Sequence, residues 1–241
     1  MERVTRDFFI FILPSSDISS MVLEDCCIQD DDVSILAAGL KRICAHDTIC
    51  KVRTLALTNN YITAKGAKAL ATVLTSSTSL QELYIDWNNC GAEGCSHLAD
   101  ALVLNTSLQL LHLEANDTRD KGITHLAKSL SNNRALTDLD LATDNITAAG
   151  AEALGEMLLA NTTLRSLSLN GNSIRSEGAA VIAAALERRN TALRTLSLDS
   201  MDIDVEFFVA MGKALRSPTC PLVSLSAVLS LLALLAQQYK Y

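Results

Sequence analysis

His112, Asp140 and Ser168 supply the imidazole, carboxylate and hydroxyl of a hydrolytic triad, and they stand 28 residues apart. A nucleophilic triad places its imidazole between the hydroxyl and the acid. Chain order here puts Asp140 in the middle, so on three successive parallel strands Ser168 and His112 would be two strand spacings apart, about 9.6 Å. That row cannot pass a proton from serine to histidine. Asp86 and Glu114 also stand 28 apart, and as neighbours they could share a proton or hold a cation. With no further ligand beside them they read as solvated carboxylates. Cys44, His46 and Cys50 bring soft ligands together, yet their spacing fits no zinc pattern. The seven cysteines, Cys26, Cys27, Cys44, Cys50, Cys90, Cys95 and Cys220, are odd in number and contain no CxxC pair. They read as free thiols of a reducing, cytoplasmic compartment. His97 and His125 recur at the same interval and are too few to hold a metal. No GxxxxGK[ST] phosphate loop and no GxGxxG turn occurs, so neither nucleotide site is indicated. These residues point to no metal, no cofactor and no enzymatic activity.

The shared interval is the stronger signal, because a fixed period marks a chain built of stacked units. Units begin at Val52, Leu80, Leu108, Leu136 and Leu164, each 28 apart, then at Leu193 and Leu222 with steps of 29, and a weaker copy begins at Ile18. With the first residue as position one, positions four and six are Leu55 and Leu57, Leu83 and Ile85, Leu111 and Leu113, Leu139 and Leu141, Leu167 and Leu169, Leu196 and Leu198. That alternation has the period of a short strand. Position nine is Asn60, Asn88, Asn116, Asp144 and Asn172, where a short amide or carboxylate can bond backbone groups freed as the chain turns out of the strand. We read these five as a buried structural ladder.

Position fifteen is Gly66, Gly94, Gly122, Gly150 and Gly178, so a helix can start close against the strand layer. Leu70, Leu98, Leu126, Leu154 and Ile182, with a leucine four residues after each, supply its apolar stripe. The helices should end near Asn105, Asn133 and Asn161, a residue type that tolerates the left-handed conformation. Each unit is then strand, turn, helix. Of four N-x-Ser/Thr sequons, at Asn105, Asn116, Asn145 and Asn161, three fall on these turn and helix-end positions.

Stretches such as LRSLSLNGNSIRSEGAAVIAAAL resemble the leucine-rich repeats of the ribonuclease-inhibitor type, also found in NOD-like receptors. The resemblance covers Val52 to about Leu215 and implies an α/β solenoid: a curved horseshoe with parallel strands on the concave side and helices on the convex side. The same curvature follows from spacing, since strands sit about 4.8 Å apart while packed helices need about 8–10 Å. The expected organisation is an N-terminal segment, residues 1–17, and a solenoid over 18–221. Within the solenoid a degenerate first repeat spans 18–51 and six repeats span 52–221, and residues 222–241 form a degenerate repeat or apolar C-terminal cap. Met201 and Phe207 replace the usual Asn and Gly of the sixth repeat. The apolar runs Phe8–Leu13 and Leu222–Ala236 are too short for a signal peptide and a bilayer span.

The chain has 241 residues, 49% of them hydrophobic, and carries 20 basic against 27 acidic side chains, a net charge of −7. That sign argues against nucleic acid. Outward positions three, five and seven of the six full repeats contain no Lys or Arg and six acidic residues, where the chain's composition predicts about 1.5 and about 2.0. Glu82, Tyr84, Asp86, Leu110, His112, Glu114, Asp138 and Asp140 form the centre of this face, and position eight adds Trp87, the one tryptophan. The reading is a non-enzymatic protein-protein interaction module whose acidic, aromatic-containing concave face docks a protein with a basic surface. The alternative is a small-GTPase-activating regulator, because Ran GTPase-activating proteins resemble this repeat type. Its available cations are the loop residues Arg119 and Arg175, and no residue carries over to that role.

Overall fold

The computed structural model describes residues 18–44, 51–188, 190, 192–201 and 205–227. Residues 1–17, most of the apolar C-terminal run, and His46 and Cys50 of the candidate Cys44, His46, Cys50 group lie outside them. Strands β1 (Ser20–Val22), β2 (Thr54–Ala56), β3 (Glu82–Tyr84), β4 (Leu110–His112), β5 (Asp138–Asp140), β6 (Ser166–Ser168), β7 (Thr195–Ser197) and β8 (Ser224–Ser226) form one parallel sheet in chain order. Between them run α1 (Asp30–Cys44), α2 (Ala64–Leu74), α3 (Gly91–Leu102), α4 (Arg119–Leu130), α5 (Ala148–Ala160), α6 (Arg175–Arg188) and α7 (Val205–Arg216), each packed on the next. The chain is thus an α/β solenoid that advances one strand and one helix per repeat. Its described C-terminal part continues the sheet, with Leu225 in register with Leu196.

Each strand has three residues, and only its middle side chain enters the core. Leu55, Leu83, Leu111, Leu139, Leu167 and Leu196 are fully buried and stand in register across β2 to β7. Leu57, Ile85, Leu113, Leu141, Leu169 and Leu198 follow two residues later and are equally buried. From the other side, Leu70, Leu98, Leu126, Leu154 and Ile182 bring the helical stripe onto them. Such a sheet-and-helix sandwich buries apolar surface only against neighbouring repeats, so stacking is the source of stability.

Turn chemistry joins the repeats. Asn60 Oδ1 accepts from the N–H groups of Cys26 and Ile28 at 3.1 and 2.9 Å, while its Nδ2 donates to Leu23 O and Leu57 O at 2.8 Å each. Asn172 does the same one-hundred-odd residues on, accepting from Asp144 N and Ile146 N and donating to Leu141 O and Leu169 O. Asn88 and Asn116 repeat the pattern, and Asp144 takes the place by accepting from Asn116 N and Thr118 N. Cys26 stands in this column in the first repeat. Its Sγ donates to Glu24 O, the contact two residues back that Asn60 makes through its amide.

A second column runs along the helix ends, and here the structure corrects the sequence reading. Asn105, Asn133 and Asn161 do not adopt the left-handed conformation; Asn161 is extended, with φ −77° and ψ 133°. Each is buried, and each Nδ2 reaches back to a carbonyl at the end of the preceding helix: Leu74 for Asn105, Leu102 for Asn133, Leu130 for Asn161, all at 2.7–2.8 Å. Asn190 adds the contact to Leu158. Helix C-termini leave carbonyls without partners, and these amides satisfy them across repeats while Oδ1 accepts from the residues that re-enter the strand, as in Asn133 with Ala135 N and Leu136 N.

Gly150 and Gly66 show how closely the units approach. A Cβ on Gly150 would meet Asp120 Oδ1 at 2.6 Å, and one on Gly66 would meet Asp30 Oδ1 at 2.6 Å. Those carboxylates belong to the preceding helix and cap the next one, accepting from Gly150 N and Thr147 N and from Gly66 N and Thr63 N. Replacing Asn172 by Leu removes a partner from two N–H groups and three carbonyls and should destabilise the chain by about 1–3 kcal/mol. Asn133→Leu should cost as much although it lies outside the strand turns. Urea unfolding measures both, and unchanged midpoints would contradict the bonding described.

Candidate functional site

A three-residue strand with a buried middle presents its first and third side chains outward. In register these make two rows: Thr54, Glu82, Leu110, Asp138, Ser166, Thr195 and Ala56, Tyr84, His112, Asp140, Ser168, Ser197. Glu82, Tyr84, Leu110, His112, Asp138 and Asp140 are all part-exposed there. Glu82 Oε2 accepts from the Thr54 hydroxyl at 2.9 Å. Neither row contains a Lys or Arg.

His112 is the hub. Its ring meets Tyr84 edge-on, with centroids 4.9 Å apart and planes at 78°, and its Nε2 lies 3.2 Å from Asp138 Oδ1. Burial alone would push the imidazole down, but the Asp138 hydrogen bond and the charges of Asp86, Asp140 and Asp138 outweigh it and hold the group above the ordinary histidine range. Asp138 moves the other way: burial raises it, while bonds from His112 and Ser166 and the imidazolium charge bring it below the usual carboxylate value. The remaining anions crowd one another. Glu114 is raised by burial and then by Asp140 and Asp86, and Tyr84 by burial and by Glu82, Asp138 and Asp86. One imidazole thus faces a field of carboxylates.

Two residues do not sit as alternation along the strand implies. Asp86 was expected on the open face, yet it is only 8% exposed. The strand has ended by position seven, and the carboxylate turns to accept from Glu114 N at 2.9 Å. Burial raises it, partly offset by that N–H, and its role is to hold the Glu114 backbone. Asn170 Oδ1 accepts from Asp199 N in the same way. Trp87 leaves the strand rows too. Position eight is left-handed throughout, at Asn59, Trp87, Ala115, Thr143, Gly171 and Ser200, with φ between 54° and 66°. A bulky residue there is strained, and Trp87 nevertheless holds it with 55% of its surface exposed at the rim beside the rows.

The other groupings do not assemble. His112, Asp140 and Ser168 are in line on β4, β5 and β6, with Asp140 between the other two, and the imidazole bonds Asp138 instead. Asp86 and Glu114 meet through carboxylate and backbone N–H. His97 and His125 pair separately with Glu93 and Asp100. Among the described residues no cluster of His, Cys, Asp or Glu could hold a metal ion, and no helix is long and apolar enough to cross a membrane. Arg119 is clamped through Nε and Nη2 by Asp117, each contact 2.8 Å. Of the sequon asparagines, Asn105, Asn116 and Asn161 are buried; Asn145 is exposed and donates to Asp117.

This is the architecture of a repeat solenoid with an open strand face, and sequence comparison agrees. A family model described as leucine-rich repeat matches residues 48–71, 76–99 and 160–183. Leucine-rich repeats thus occur among the units that stack into this α/β solenoid. Over 81 residues it is 33% identical to leucine-rich repeat-containing protein 45 of Gallus gallus, a stretch covering 33% of this chain and 11% of that protein. The chain therefore matches about a ninth of that relative's length. Among solved structures it is similar to the tropomodulin C-terminal domain from Caenorhabditis elegans, at 13% identity and TM-score 0.53 over 64% of this chain and 90% of that one. The leiomodin-1 actin-binding site 2 aligns at 20% identity and TM-score 0.49, over 60% of this chain and 80% of that one. At such identity the tropomodulin likeness speaks to the fold alone.

The coupling at the hub is measurable. His112 should titrate above the ordinary imidazole value of about 6.5, and Asp138→Asn should lower its midpoint. Because the folded His112 value is raised and that of Asp138 lowered, the pair stabilises the chain fully between the ordinary carboxylate and imidazole values, and the contribution is lost as pH rises through the folded imidazole value or falls through the folded Asp138 value. Histidine NMR titration reads this directly; an unchanged midpoint in Asp138→Asn would refute the pairing.

Proposed function

We propose that the chain is a non-enzymatic binding module whose concave strand face docks a protein through a basic surface. The observation that carries the reading is the charge census of the two rows. They hold Glu82, Asp138 and Asp140, with Glu114 just beyond, and no Lys or Arg. Burial and then the charges of Asp140 and Asp86 raise the proton affinity of Glu114, an incoming cation would relieve that crowding, and such complementarity gives specificity and fast encounter. Leu110 and Tyr84 offer apolar area between them, and Trp87 at the rim is suited to stack on a guanidinium or ammonium. Asp86 contributes by fixing the Glu114 backbone instead of by direct contact.

The repeat type that fits best is that of ribonuclease inhibitor and NOD-like receptors, supported by a complete helix in every 28-residue unit. A reducing, cytoplasmic setting suits the unpaired thiols of Cys26, Cys27, Cys90, Cys95 and Cys220.

The test pairs the wild type with Glu82→Lys/Glu114→Lys and with Trp87→Ala, each checked for an unchanged circular dichroism spectrum. The protein captured by the wild-type chain should bind at least about tenfold more weakly to either variant, and its wild-type affinity should fall as salt is raised. Equal affinity in both variants, independent of salt, would place the contact elsewhere.

A further inference from the structure

Asp144 stands in a column of asparagines and is completely buried. In its neighbours the side chain does two jobs. Asn116 and Asn172 accept backbone N–H bonds on Oδ1 and donate from Nδ2 to carbonyls: Ile85, Leu113 and Glu114 for the former, Leu141, Leu169 and Asn170 for the latter. An ionised carboxylate can only accept. Asp144 Oδ1 does accept, from Asn116 N at 2.9 Å and Thr118 N at 3.1 Å, while Oδ2 is buried without a hydrogen-bond partner among the described residues. By repeat register Oδ2 takes the place of the amide nitrogen, and the carbonyls equivalent to those its neighbours engage are Leu113, Leu141 and Ala142.

We infer that Asp144 is a neutral carboxylic acid in the folded chain, donating its proton from Oδ2 to this carbonyl column and forming a proton-dependent lock between the repeats of β4 and β5. A proton completes the ladder, and its loss would set a negative oxygen against carbonyl oxygens in a site closed to water. Burial raises the acid to about 7, against the opposing pull of the Thr118 and Asn116 N–H groups and the Thr118 side chain.

The groups around Asp144 favour the neutral form. Asp140, on β5 of the same repeat, is a second anion that opposes ionisation. From the preceding repeats come the Cys90 and Cys95 thiols, both driven up by burial and therefore neutral. The turn before contributes Asn116 and the buried Thr118 hydroxyl, whose pull toward the ionised form burial outweighs, and the repeat after contributes Asn172. None of these is a cation. The lock lies four residues beyond Asp140 of the strand face, so the pH that closes it also tightens the repeats that present Asp138 and Asp140.

The sign follows from linkage. The folded chain binds a proton at Asp144 that the unfolded chain has released above about pH 3.9, so the contribution is complete below that value and is lost as pH rises to about 7. Asp144→Asn supplies a permanent donor. Unfolding equilibria of the full chain and of this variant, measured from about pH 4 to about pH 8.5, should diverge, the wild type losing about tenfold per pH unit up to about 7 and nothing further above it. Infrared spectroscopy of the folded wild type near pH 6 should also show the carbonyl band of a protonated carboxyl that disappears on alkalinisation and is missing from Asp144→Asn. That band decides the matter even where the variant folds poorly. A stability ratio independent of pH, or an ionised Asp144 at about pH 5.5, would overturn the proposal.

Discussion

No repeat of this chain can satisfy its own turns. A strand of three residues hands its backbone to the neighbouring strands, but the chain must then leave the sheet, enter a helix and return, and each corner strands N–H and C=O groups in a dry interior. Leaving one such group unpaired costs about 1–3 kcal/mol, as much as burying a leucine side chain recovers. The answer is a side chain with both a donor and an acceptor at each corner, reaching into the next unit. Asn60, Asn88, Asn116 and Asn172 serve the strand exit, and Asn105, Asn133, Asn161 and Asn190 serve the helix exit. Asp30 and Asp120 cap the helix starts in the same inter-repeat fashion. Leucine stacking holds the repeats together, and these amides let the chain turn its corners inside that core without unpaired backbone groups.

Structural bonding at the corners leaves the strand faces free. Once the middle residue of each strand is committed to the core, the flanking residues fall on the open face, and the parallel register lines them up without choice. What distinguishes this molecule is the composition of those rows. Carboxylates accumulate around a single imidazole: burial and then neighbouring anions raise Glu114 and Tyr84, the His112–Asp138 bond raises the imidazole and lowers its partner, and neither row contains a Lys or Arg.

The periodic leucines made the solenoid legible from sequence, and the position-nine column was readable because its amides act at the corner where they sit. The helix-end column was not. Asn133 has a familiar local role at a helix terminus, and nothing nearby reveals that its partner is the Leu102 carbonyl 31 residues earlier. Asp86 was misplaced because alternation was carried past the point where the strand stops. In the column of Trp87 stands Gly171, a sequence sign that the backbone there is left-handed. The Asp in a column of Asn at position 144 was likewise visible, but its meaning needed the burial and the unpartnered oxygen that only three dimensions supply.

Backbone hydrogen exchange resolved at Asn116, Thr118, Asp144 and Ile146 tests the central claim, because each of these N–H groups sits in a turn and is bonded only to a ladder side chain in the next repeat. Protection equal to that of the strand amides Leu111 and Leu139 is the predicted result. Exchange at the rate of an exposed turn would mean that the corners are satisfied by solvent and that leucine packing alone holds the repeats together.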